Sequence, residues 1–121
     1  MRLFALRGAT SVDANDADQI LSATHELMAR ILERNGLQPC DLVSCLFTVT
    51  DDLDAAFPAT AARGMGFESV PLMCAREIPV PGALPRVIRV LVHFHADDAH
   101  ETRHVYLRAA RTLRGDLEAA Q

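Results

Sequence analysis

The chain is 121 residues long, half of them hydrophobic and 23% charged, with a formal net charge of −4. That length carries one domain with its own core, and no apolar run reaches the roughly 20 residues of a membrane-spanning helix. The acidic balance argues against a protein that tracks a nucleic-acid backbone.

Residues 2–7, RLFALR, read as a strand closed by Gly8. The following SVDAND offers several helix caps, Asn15 being the expected N-cap. From Ala17 to Asn35 the positions Ile20, Leu21, Thr24, Leu27, Met28, Ile31 and Leu32 keep helical spacing. Charged Asp18, Glu26, Arg30, Glu33 and Arg34 fill the other side, Gly36 fits a C′ stop, and Pro39 prevents continuation. Residues 42–50, LVSCLFTVT, form a second strand. A loop with one short helix follows, opened near Pro58 and ended by Gly64 or Gly66. Residues 70–75 read as a third strand. Pro85 introduces a fourth, RVIRVLVHFHA, which is apolar on both faces and therefore expected at the centre of the sheet. HVYL is a short fifth strand, and the tail from about residue 108 is ambiguous between helix and mobile coil.

The expected fold class is thus α+β, a mixed sheet on one long helix within a single domain spanning residues 1–121. One helix covers one face only, so the other needs cover, and oligomerisation supplies it. The opening MRLFALRGAT is too short and too polar for a signal peptide, and Cys40, Cys45 and Cys74 have no framework spacing. A cytoplasmic protein with free thiols is the expectation.

All 12 basic residues are arginine. Genome composition is an ordinary source of such a bias, yet arginine is also the side chain suited to bidentate capture of carboxylates. Arg89 lies inside the apolar run VIRVLV, where an unpaired guanidinium is costly. It calls for an anionic partner or a wet cleft, and an internal salt bridge to Glu77 is one solution. Arg7 sits beside Gly8 near a strand end, a place where loops carry function. Tyr106, Arg63 and Cys74 have plain readings taken singly: a core tyrosine, a cation at a helix C-terminus and a small buried hydrophobe. His93 and His95 share a strand face and His100 and His104 are four apart, but no third ligand accompanies either pair, so no metal is expected. No nucleophile motif, P-loop or dinucleotide fingerprint is present.

Taken in order, RGAT at 7–10, FPA at 57–59, the C-x-x-E of Cys74 to Glu77, IRV at 88–90 and RHVYL at 103–107 resemble the AroH-class monofunctional chorismate mutases. The resemblance runs from Arg2 to about Leu117. It implies a homotrimer forming a pseudo-α/β barrel, with active sites in clefts between subunits. The implied reaction is the cofactor-independent Claisen rearrangement of chorismate to prephenate, on the way to phenylalanine and tyrosine.

By that resemblance Arg89 is aimed at the ether oxygen, which gains negative charge as the C–O bond breaks. Arg7 binds a substrate carboxylate, and Tyr106 hydrogen-bonds the same region. Glu77 accepts from the ring hydroxyl, helped by Cys74 lining the gap between Glu77 and Arg89. Arg63 matches a position at the cleft mouth, and Phe57, Ala59, Leu72 and Met73 match wall positions, with Ala75 and Arg76 alongside. Arg114 matches a tail arginine that helps close the site. Thr60 stands where a lysine is expected, Met73 replaces a smaller polar residue, and Arg76 adds charge. These departures bear on affinity, not on the reaction. Two other readings compete: a small trimeric imine deaminase, which the order of the motifs disfavours, and a non-catalytic anion-binding trimer.

Overall fold

A computed structural model describes residues 1–113. Five strands form one mixed sheet: β1 (Arg2–Ser11), β2 (Leu42–Val49), β3 (Leu72–Arg76), β4 (Val87–Ala96) and β5 (Val105–Tyr106). They lie in the order β3-β2-β4-β1-β5. β4 pairs antiparallel with both β1 and β2, while β3 and β5 add to the edges in parallel. The central place of β4 matches the apolar run that predicted it.

Helix α1 (Ala17–Asn35) covers one face, burying Ile20, Ala23, Leu27, Met28 and Ile31 along its inner stripe. The larger of these, Ile20, Leu27, Met28 and Ile31, each contribute about 1.5–3 kcal/mol when fully withdrawn from water. The stop is as expected: Gly36 is left-handed (φ 61°), and its N–H returns to the last turn. The start is shifted by one residue. Asp16 caps the helix by accepting from the Gln19 amide. Asn15 instead accepts from the amides of Asp54 and Ala55 and so pins the loop after β2. A shorter helix, α2 (Pro58–Arg63), packs beside α1 and β3.

Gly8 does not end β1; the strand runs on to Ser11. A Cβ at this position would lie 2.8 Å from Ile31 Cδ1 and 3.2 Å from Leu27 Cδ1. The missing side chain is what lets α1 settle onto β1. Alternation along the strand then turns Arg7 to the opposite face.

That opposite face is only partly covered. Strand β4 buries Ile88, Val90, Val92 and Phe94 under the helix, whereas Arg89, Leu91, His93 and His95 remain partly or fully open. The expectation of a strand buried on both faces therefore does not hold within one chain. Leu3, Leu46 and Met73 are exposed on the same side, at 55%, 37% and 68%. At one end, Ala9 and Val87 are sealed by Ala110, Leu84 and Leu113. Residues Arg108–Thr112, the first of the expected tail, form a short 3-10 helix there. Arg114 lies outside the described residues.

Candidate active site

The cleft forms where the strand register gathers side chains from four strands. Arg89 on β4 stands opposite Ala9 of β1 and Thr48 of β2, and Ala9 is in turn opposite Tyr106 of β5. One step along, Arg7 stands opposite Leu91, which faces Leu46. Small Ala9 at the centre leaves the space. The resulting cavity is about 220 Å³, lined by Arg7, Arg89, Tyr106, Thr48, Leu46 and Leu91 among others.

Glu77 follows β3 directly and is held against β2, its amide donating to the Val49 carbonyl at 2.9 Å. Its carboxylate accepts from Arg89 Nε at 3.2 and 3.1 Å, and from Thr48 Oγ1 at 2.6 Å. Both bonds use the same guanidinium nitrogen. Among the described residues, the two terminal nitrogens of Arg89 have no partner. The pair is not sealed away: the Arg89 side chain is 38% exposed and Glu77 18%. Two guanidiniums against one carboxylate leave the cleft positive inside an acidic chain.

The hydroxyl of Tyr106 is buried and lacks a hydrogen-bond partner among the described residues. Burial pushes its pKa above the ordinary tyrosine value, while Arg7 and Arg89 pull it down. The group is therefore a protonated donor at neutral pH, flanked by two cations.

Other expected site residues fall elsewhere. Cys74 pairs with Phe47 and packs on the core under the helix, so its side chain lies on the face opposite Arg89. It does not line the gap between Glu77 and Arg89; alternation along β3 gives that face to Met73 and Ala75. Leu72 packs on the core as well, and Ala59 is buried within it at 2% exposure. Phe57 is 71% exposed, and Arg63 and Arg76 are exposed, none of them on this cavity. Two contributors were not assigned to the site from the sequence: Thr48, which orients Glu77, and His104, weighed there only as one of a histidine pair, whose Nδ1 accepts from the Arg7 amide at 3.0 Å. Cys45, by contrast, is an inert thiol whose pKa burial pushes up to about 12. No cluster of three or more His, Cys, Asp or Glu placed to hold a metal occurs among the described residues.

Residues 3–117 match the type I chorismate mutase family. The chain belongs to that family. The chorismate mutase AroH of Thermus thermophilus is 52% identical over 118 residues, covering 96% of this chain and 97% of that protein. The chorismate mutase AroH of Bacillus subtilis is 40% identical over 119 residues, covering 97% and 94%. Among solved structures, a chorismate mutase from Clostridium thermocellum superposes with a TM-score of 0.87 at 50% identity, covering 91% of this chain and 99% of its own. The α+β class expected from the sequence is thus that of the chorismate mutases. The mutase reading prevails over the imine deaminase.

Proposed function

We propose that this cleft binds chorismate and rearranges it to prephenate, in a homotrimer whose neighbouring subunit completes each site. The observation that carries the reading is Arg89. It is gripped at Nε by Glu77, leaving two charged donors for a ligand at the wall of a cavity shared with Arg7 and Tyr106.

Chorismate is a small dianion, and the rearrangement is unimolecular. No nucleophile, proton transfer or cofactor is required. The site acts by holding the folded, reactive conformer and by placing positive charge where negative charge develops. Arg7 and the Tyr106 hydroxyl take a carboxylate. Arg89 faces the ether oxygen as the C–O bond breaks. Glu77 keeps Arg89 in place and, with acceptor capacity to spare, takes the ring hydroxyl. The salt bridge anticipated from the sequence thus serves as a positioning device for the charge.

A cavity of about 220 Å³ is small beside the roughly 300–1,000 Å³ of small-molecule sites, which supports completion by a second copy. Phe57 and Arg63, exposed and not lining this cavity, supply the neighbour's wall and mouth, while Met73 flanks the cleft beside Leu46. The open sheet face with Leu3, Leu46 and Leu91 lies at the trimer centre, giving the pseudo-α/β barrel. Three free thiols fit a reducing cytoplasm, where aromatic amino acids are made.

The purified chain is expected to consume chorismate without added metal, seen as loss of the diene absorbance. Arg89→Gln should lower kcat by about 10²–10³, the usual cost of removing one transition-state donor, while the fold persists. Unchanged turnover in that variant would rule out the role given to Arg89.

A further inference from the structure

The link between β1 and β5 departs from a regular ladder at the residue that the substrate carboxylate needs. With Ala9 opposite Tyr106, the Leu107 amide donates to the Ala9 carbonyl at 2.9 Å, as parallel pairing requires. One repeat earlier, Arg7 stands level with His104, and the regular acceptor for the Arg7 amide is the Arg103 carbonyl. That carbonyl is already engaged. Buried Asn35, the last residue of α1, donates to it at 3.0 Å and accepts from the Arg103 amide at 2.9 Å. The helix end thus pulls the chain out of the ladder, and the imidazole of His104 takes the vacated place at 3.0 Å from the Arg7 nitrogen.

We propose that His104 is a positioning residue for the mutase reaction, its neutral ring standing in for a missing strand carbonyl and fixing Arg7 beside Tyr106. A backbone amide only donates, so Nδ1 must be the unprotonated nitrogen and Nε2 carries the proton. His104 touches no substrate and acts through the backbone of Arg7. Partial desolvation and the Arg7 charge both lower the pKa of this exposed ring, which favours the accepting form. The inference rests on the proposed binding of a substrate carboxylate by Arg7.

The test compares the full-length wild type with His104→Ala and His104→Asn, because the asparagine Oδ1 occupies nearly the place of Nδ1. Arg7 binds a group that is charged before and during the reaction, so its displacement weakens ground-state and transition-state binding alike. His104→Ala should raise KM for chorismate about five- to ten-fold with kcat little changed, and His104→Asn should return KM to within about two-fold of wild type. Hydrogen exchange of the Arg7 amide should quicken in the alanine variant and recover in the asparagine one. Unchanged KM and exchange in His104→Ala, or an asparagine variant that behaves like alanine, would overturn the proposal. A wild-type protein that fails to consume chorismate would defeat the mutase reading instead, and amide exchange would still decide whether the ring holds the strand.

Discussion

A buried hydroxyl without a partner costs about 1–3 kcal/mol, and among the described residues the Tyr106 hydroxyl has none. Evolution tolerates such a group where a ligand supplies the missing bond. Stability and activity should therefore respond oppositely to its removal. Tyr106→Phe is expected to raise the stability of the unliganded chain by about 1 kcal/mol while raising KM for chorismate about ten-fold, since hydrogen bonds to charged groups are the stronger ones. Thermal melting and steady-state kinetics on the same preparation check both signs. A variant less stable than wild type would show that the hydroxyl already has a partner inside the chain. Arg89 and Glu77 were legible at this scale, because a guanidinium inside VIRVLV and a carboxylate at a strand end both demand partners. Thr48 and His104 were not. Their roles come from register across strands far apart in sequence; nothing local marks Thr48, and local spacing marks His104 only as one of a histidine pair.

Among elements, α1 was the most legible, since its apolar stripe needs only local spacing. Its cap was displaced by one residue because Asn15 and Asp16 have equivalent chemistry; which one caps depends on a loop near Asp54. Gly8 was misread for a physical reason. Glycine punctuates strands, but it also permits close approach, and sequence does not tell these apart. The close approach is testable. Gly8→Ala sets a Cβ within 2.8 Å of Ile31 and should destabilise the chain by about 1–3 kcal/mol, read from urea unfolding. Activity should fall too, because Arg7 is the adjoining residue. A variant of wild-type stability would mean that α1 has slack against β1. The misplacement of Cys74 has a related origin: strand alternation fixes faces only relative to a register, and the register of β3 depends on its pairing with β2.

At the scale of the whole molecule, one chain builds a sheet with a helix on one side and an unfinished face on the other. Leu3 stands on that face, 55% exposed and away from the cavity. In the proposed trimer it is central. Leu3→Asp should give a protein of monomer size by light scattering, with circular dichroism like wild type and little turnover. Turnover should recover with rising protein concentration, as expected when assembly and activity are linked. A stable, active trimer would place the interface elsewhere. The need for cover was readable from the element count, but not which residues supply it.

The hydrogen bond between residues 7 and 104, 97 positions apart, also sets an order of events during synthesis. β1 leaves the ribosome first and has no strand partner until β4 follows, beginning at Val87. Meanwhile α1 is already made, and the glycine contact with Ile31 and Leu27 gives the two a way to associate early. Arg7 is thus made well before Tyr106. A chain stalled before β5 holds both guanidiniums but lacks the tyrosine and the imidazole that complete the cleft. Chorismate should protect only chains long enough to include Tyr106, and only once they can assemble with their neighbours.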